Sequence, residues 1–215
     1  GREYLRFVGS TSPSGHLLQT LAAEKRLLEK ALELKAKKVV IDSSGFVLGA
    51  VPEEFQFQTI DLLQPDHLVA IQRGEELEDL LDNFRRQERM RICRLSPSFA
   101  VVERSREERR AYREKIFTDY FGDARSIEVP LKSLGIHGKV PDPALPGHWR
   151  DLLLGLNNGE NMLLSLAILE DYNPFARTIR VFSPPVERED IATIEFGSYH
   201  LRRESIACGR EEEST

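Results

Sequence analysis

The sequence predicts an α/β fold in which part of a parallel sheet with flanking helices is followed by a small, mainly antiparallel β domain. Three observations support this. Short apolar segments alternate with amphipathic helical stretches up to about residue 117. From about Ser126 the texture changes: Pro130, Pro141, Pro143 and Pro146, with Gly135, Gly138 and Gly147, interrupt any helix. Only short strand-like segments joined by turn residues come after them. The expected domains are therefore 1–125, 126–204 and a frayed polar tail, 205–215.

The first strand is Tyr4–Val8, closed by Gly9-Ser10-Thr11-Ser12-Pro13-Ser14-Gly15. A helix follows from about Leu17 to Lys37, with Leu17, Leu18, Leu21, Leu28, Ala31 and Leu32 on one face. Val39-Val40-Ile41 reads as a second strand, ended by Asp42-Ser43-Ser44-Gly45. Glu53–Leu63 is helical and stops at Gln64-Pro65-Asp66. His67–Ile71 and Arg91–Leu95 are further strands, with a helix over Glu75–Phe84 between them and another over Arg104–Phe117 after them. In the second half the expected strands are Asp151–Leu156, Met162–Leu169, Thr178–Phe182 and Ile191–Tyr199, arranged as a partly open barrel. The turns Gly9–Gly15, Asp42–Gly45 and Gln72–Gly74 follow parallel strands, so they are expected to face one ligand crevice.

At 215 residues the chain holds one large domain or two small ones. No apolar run approaches the roughly 20 residues that span a bilayer, so no membrane partner is expected. Cys93 and Cys208 have no partner spacing and sit in no zinc-like cluster, which suits a reducing compartment. His16, His67, His137, His148 and His200 are scattered, and no metal ligands are assigned among the residues present. Trp149 suits a core or interface anchor.

Charge is unevenly distributed. Arg85–Lys115 holds ten Arg and one Lys against five Glu, a local +6 on a chain of net charge −5, leaving −11 elsewhere. A basic element on an acidic protein suggests a dedicated anion site, and Arg binds phosphate in planar, bidentate fashion as Lys cannot. On a helix Arg104, Arg109 and Arg113 stand at about 0°, 140° and 180°, so Arg109 and Arg113 share a face. Pairs with Glu103, Glu107, Glu108 and Glu114 would equally make this an ordinary solvated helix.

Two loops are further candidates. Gly9–Gly15 has the small residues of a phosphate cradle before a helix N-terminus. It lacks the G-x-x-x-x-G-K-[ST] string, which occurs nowhere in the chain, and it also suits a plain helix start. Asp42 could ligate a metal or hydroxyl, and Phe46 could stack on a base or simply fill the core.

Several ordered motifs together resemble a known family: Phe7–His16, Val40–Gly49, Val102-Glu103-Arg104-Ser105, Leu154-Gly155-Leu156-Asn157 and Glu195-Phe196-Gly197-Ser198. The combination is similar to the polynucleotide 5′-hydroxyl kinases. That family includes the RNA kinase subunit of the eukaryotic pre-mRNA cleavage machinery, the ribosomal-RNA-processing kinases and archaeal RNA kinases. The resemblance implies a P-loop kinase fold that moves the γ-phosphate of ATP to the 5′-OH end of RNA or DNA. Arg104, Arg109 and Arg113 would be catalytic lid arginines, Thr11 and Ser12 would bind the acceptor nucleotide, and Phe46 would stack on its base where relatives often have Trp. ATP and Mg²⁺ are the implied cofactors, held mainly by a Walker A segment expected upstream of Gly1. The chain would then be the C-terminal portion of the kinase and inactive alone. A non-catalytic RNA-binding or scaffolding subunit of an RNA-processing complex is the alternative, and a small-molecule or GTP-dependent P-loop protein a third. The expected location is the cytoplasm of a prokaryotic cell, with the nucleus as the alternative.

Overall fold

The computed structural model describes residues 2–102, 104–140, 142, 145 and 148–203. The expected tail 205–215, with Cys208, Glu103, Pro141, Pro143, Pro146 and Gly147, lies outside the described residues. By contacts the chain groups into two units, one from Gly1–Ser12 and Arg104–Thr215, the other from Pro13–Glu103.

The second of these, the α/β unit, contains α1 (Leu17–Glu33), α2 (Ala50–Leu63), β1 (His67–Ile71), α3 (Glu78–Asp82) and β2 (Arg91–Leu95). β1 and β2 pair in parallel, His67 opposite Arg91 and Ile71 opposite Leu95. α1 stops before Lys37 because Leu34 and Lys35 turn the chain, Lys35 at φ 60. Of its expected apolar face, Leu18 and Leu32 are exposed, and Ala23 is the buried residue of the helix. α2 buries Phe55, Gln56, Thr59, Ile60 and Leu63 and ends at Gln64 in the left-handed region.

Val39-Val40-Ile41 is not a strand. All three residues are exposed, Val40 at 93 %. An apolar run becomes a strand only where a neighbour takes its N–H and C=O groups, and among the described residues this sheet holds β1 and β2 alone.

The β unit carries α4 (Arg106–Tyr120), β3 (Arg125–Pro130), β4 (Gly135–Gly138), β5 (Leu152–Asn157), β6 (Leu163–Asn173), β7 (Thr178–Ser183) and β8 (Thr193–His200). The six strands lie in the order β3-β7-β6-β5-β8-β4, antiparallel except for β4 on β8. Among the described residues β3 and β4 are the edges of the sheet and do not pair with each other, so it does not close as a barrel. Both edges lie in stretches where Pro and Gly obscure the period-2 pattern, which is why the sequence did not predict them.

The sheet is covered on both faces. Leu152, Leu154 and Leu156 of β5 join Ala167, Leu169, Val181 and Trp149 in one cluster. Leu153 joins Phe7, Phe121, Ile168 and Phe182 in the other. Adjacent residues of a strand point to opposite faces, so β5 can be buried at all six positions only because both faces are packed. Tyr4–Val8, expected to be a strand, lies on this sheet without a ladder. Leu163 N–H donates to the Leu5 carbonyl at 2.9 Å, and Ser198 N–H to the Gly9 carbonyl at 2.8 Å.

Candidate phosphate and nucleic-acid site

The Gly9 loop is fixed by the β sheet at its start. Phe7 is buried, and the Arg6 guanidinium donates to the Asn161 carbonyl. A Cβ on Gly155 would stand 2.7 Å from Phe7 Cβ, and one on Gly197 would stand 2.8 Å from the Gly9 carbonyl oxygen. The motifs Leu154–Asn157 and Glu195–Ser198 therefore have a mechanical role, because their glycines let Phe7–Gly9 lie directly on β5 and β8. Beyond that anchor Gly9 takes φ 82, and Thr11 and Ser12 are exposed, with Ser12 N–H donating to Ser10 Oγ at 3.4 Å. The loop divides at Ser12/Pro13 between the two units. On the α1 side His16 N–H donates to the Pro13 carbonyl at 2.8 Å, and α1 begins without a side-chain cap.

Phe46 belongs to the α/β unit. Its ring is half-buried and meets Phe55 edge-on, centroids 6.3 Å apart at 62°. Gln56, itself buried, donates from Nε2 to the carbonyls of Phe46 at 3.0 Å and Ser44 at 3.4 Å, which holds the turn in place. Asp42 is exposed, and among the described residues no group of three or more His, Cys, Asp or Glu could hold a metal ion. The ends of β1 and β2 are tied by Arg94, which donates to both oxygens of Glu78 at 2.8 and 2.7 Å while Gln72 adds a third bond at 2.6 Å. Those bonds, that from Arg94 first, hold the Glu78 carboxyl at a pKa of about 2.

The arginine helix is the most exposed element of the site. It starts at Arg106, so Arg104 precedes it and does not follow the helical rotation expected from spacing. Ser105 caps the helix in a reciprocal box: Glu108 N–H donates to Ser105 Oγ at 3.0 Å and Ser105 N–H to Glu108 Oε2 at 2.6 Å. Arg104 lies over the Tyr112 ring at 5.4 Å. Arg110 pairs with Glu114 at 2.8 Å. Arg109 and Arg113, one turn apart and exposed, have no carboxylate partner among the described residues. Arg104, Arg109, Arg113, Thr11 and Ser12 thus share the β unit, while Phe46 lies in the other. Two uncompensated guanidinium groups on one exposed helix face can each grip a phosphate bidentately without first breaking an ion pair.

Sequence reasoning missed the residues that fix this helix. Phe117 stacks on Tyr199, centroids 5.8 Å apart, Phe121 stacks on Phe182 at 6.0 Å, and Tyr120 Oη accepts Leu166 N–H at 2.9 Å. Their i, i+3, i+4 spacing just past the basic run was the available signal.

Comparison with known proteins agrees with this architecture. Residues 2–123 match the family model of the mRNA cleavage and polyadenylation factor CLP1 P-loop. A polyribonucleotide 5′-hydroxyl-kinase of Thermococcus kodakarensis is 31 % identical over 161 residues, 75 % of this chain and 42 % of that protein. One from Pyrococcus furiosus is 22 % identical over 254 residues, covering 94 % of this chain and 70 % of the relative. A third, from Methanocaldococcus jannaschii, is 26 % identical and is matched over 36 % of its own length. The solved structure of wild-type Clp1p in complex with Pcf11p superposes with TM-score 0.58 at 14 % identity, over 86 % of this chain and 51 % of that one, a likeness of fold. The match over residues 2–123, more than half its length, places this chain in the CLP1 P-loop family, whose archaeal relatives are polyribonucleotide 5′-hydroxyl kinases.

Proposed function

We propose that this chain is the lid-bearing portion of an ATP-dependent polyribonucleotide 5′-hydroxyl kinase, acting on 5′-OH ends of RNA. The observation that carries the reading is the exposed arginine helix, with Arg109 and Arg113 one turn apart and without a carboxylate partner among the described residues. The kinases named among its relatives support the substrate. In phosphoryl transfer the protein positions the reactants and neutralises charge that develops on the transferring group. Arg104, Arg109 and Arg113 would supply that charge. Arginines in such positions contribute factors of about 10³–10⁵ in rate, or about 4–7 kcal/mol of barrier lowering. Thr11 and Ser12 would contact the acceptor nucleotide and Phe46 its terminal base. The prokaryotic cytoplasm as its location belongs to the same proposal and is favoured by the archaeal relatives.

The ATP and Mg²⁺ that the family implies do not fit the described residues by themselves. The 215 residues contain no G-x-x-x-x-G-K-[ST], and the described acidic and histidine residues form no metal-binding group. On this proposal the P-loop belongs to sequence outside these residues. Two features support this. Parallel sheets are covered on both faces, yet Val69, Ile71 and Leu95 on one face of β1–β2 are more than half exposed. The apolar run Val39–Ile41 also has no strand beside it among the described residues.

The test compares the 215-residue chain with the full-length protein, using γ-labelled ATP and a 5′-OH oligoribonucleotide. Transfer is expected from the full-length protein alone, and Arg109→Ala should cut turnover more than RNA binding. Robust transfer by the 215 residues alone would refute the divided site, and equal losses in both measurements would make the arginines simple tethers. The missing P-loop string also favours a second reading, an RNA-binding scaffold without turnover. A degraded loop in the remaining sequence, with RNA binding but no transfer, would select it.

A further inference from the structure

α4 has two halves that behave differently. Residues 104–116 are exposed throughout. From Phe117 onward the helix meets the β sheet, and Phe121 at its end is fully buried. The stack of Phe117 on Tyr199 and that of Phe121 on Phe182 both lie at 21° between ring planes. Stacks of this kind hold a helix down, but they tolerate sliding and rotation because apolar contact is not directional.

Tyr120 adds a directional contact. Ile168 pairs with Phe182, so the same register carried two residues further sets Leu166 against Pro184. Proline has no N–H, and the ladder cannot continue there. The Leu166 carbonyl accepts from Ser165 Oγ at 3.1 Å and Ser183 Oγ at 3.3 Å. The Leu166 N–H donates to Tyr120 Oη at 2.9 Å, and Tyr120 Oη lies 3.3 Å from Ser165 Oγ. Ser165 and Ser183 are buried. A strand end left open by proline is thereby met by a side chain from α4 in an exposed hydrogen bond; without the hydroxyl, water would take the Leu166 N–H, and what is lost is the direction of the contact.

We propose that Tyr120 is a positioning residue: its hydroxyl, bonded to the open end of β6, sets the direction of α4 and so aims Arg109 and Arg113. The catalytic arginines sit about 7–11 residues before it, a lever of roughly 10–16 Å at 1.5 Å per residue. A tilt of a few degrees at Tyr120 moves a guanidinium by an ångström, enough to spoil charge stabilisation. The functional half of this inference rests on the kinase reading, while the anchoring half stands on geometry alone.

The experiment uses the full-length protein with its native cysteines, Cys93 and Cys208 among them, changed to Ser and spin labels at Ala111→Cys and Glu128→Cys. Interlabel distances are measured with Tyr120 and with Tyr120→Phe, alongside the melting temperature, kcat and the KM for a 5′-OH oligoribonucleotide. Tyr120→Phe is expected to broaden the distance distribution about twofold and to lower kcat about tenfold, with KM within about twofold. Leu156→Val, in the cluster on the opposite face, should lower the melting temperature while leaving the distribution and kcat unchanged. Phe117→Leu removes the Tyr199 stack and keeps the hydroxyl. Broadening with Phe117→Leu but not with Tyr120→Phe would overturn the role given to the hydroxyl, as would a kcat loss without any change in distance. A wild-type protein that transfers no phosphate defeats the kinase reading and leaves the label result to decide the anchor. An unchanged distribution defeats the anchor and leaves the kinase reading standing.

Discussion

The two units treat similar apolar strands in opposite ways. In the β unit, β5 is buried at every position, Leu154 and Leu156 completely. In the α/β unit, β1 buries Ala70 while Val69 and Ile71 stand 53 % and 61 % exposed. Both strands are apolar runs, so hydrophobicity does not separate them. What differs is the cover. Phe7 and Phe121 close one face of the six-stranded sheet, and Leu131, Trp149 and Ile191 close the other. α4 repeats the contrast within one element, free at its arginines and docked at Phe121. The difference teaches that burial in this protein is concentrated on the six-stranded sheet, while the arginine half of α4 and one face of β1–β2 stay open to solvent.

The strongest way to break that comparison is Phe121→Ala. It removes a fully buried ring from the cluster under α4 and should cost about 3–5 kcal/mol in urea unfolding. A loss below about 1 kcal/mol would show that the docked end of α4 is no better packed than the free end. Gly155→Ala comes next, since its methyl would press on Phe7; about 1–3 kcal/mol is expected, with the Leu5–Gly9 segment displaced. Ser105→Ala removes the cap of α4 and should cost about 1 kcal/mol, seen as faster amide exchange confined to the first turn. If exchange quickens along the whole helix, the two halves of α4 are not independent.

Acid gives a subtler test on the α/β unit. The bonds from Arg94 and Gln72 lower Glu78 from the ordinary 4.5 to about 2. Their contribution is complete above pH 4.5 and is lost as the pH falls toward 2, because the unfolded chain takes up the proton first. Glu78→Gln should flatten the fall in stability over that window, and an unchanged slope would remove this pair from the account. Glu24 works in the other direction: burial raises its pKa despite the bond from Thr59 Oγ1, so Glu24→Gln should stabilise slightly at neutral pH. Smallest of all, Ile71→Ser should change stability by less than about 0.5 kcal/mol, since its side chain already meets water. A larger loss would mean that this face is covered in solution.

Much of the fold was legible. β1 and β2 have the bounds their apolar patterns predicted, and four of the six strands of the β unit fall within two residues at their starts. The arginine helix was legible as well, because a run such as Arg109-Arg110-Ala111-Tyr112-Arg113 has high helix propensity and no breaker. Other readings failed for physical reasons. Val39–Ile41 has the composition of a strand but no partner, and strand formation is a property of a pair. Tyr4–Val8 was apolar for a different purpose, since Phe7 fills a cluster and Gly9 hands its carbonyl to Ser198 without a ladder. Arg104 could not be placed from spacing because Ser105 caps the helix after it.

By itself the sequence determined the α/β class, the charge concentrated between Arg85 and Lys115, and the ordered motifs that mark the family. These are local or compositional properties, readable wherever the pattern is short and periodic. Only the tertiary structure decided which end of α4 is held. It also gave the glycines of β5 and β8 their reason, as the surface on which Phe7–Gly9 rests. Those facts depend on residues more than a hundred positions apart meeting at one place: Gly9 with Ser198, and Phe7 with Gly155. The arginines announce themselves in one dimension, but the sheet that holds the end of their helix exists only in three.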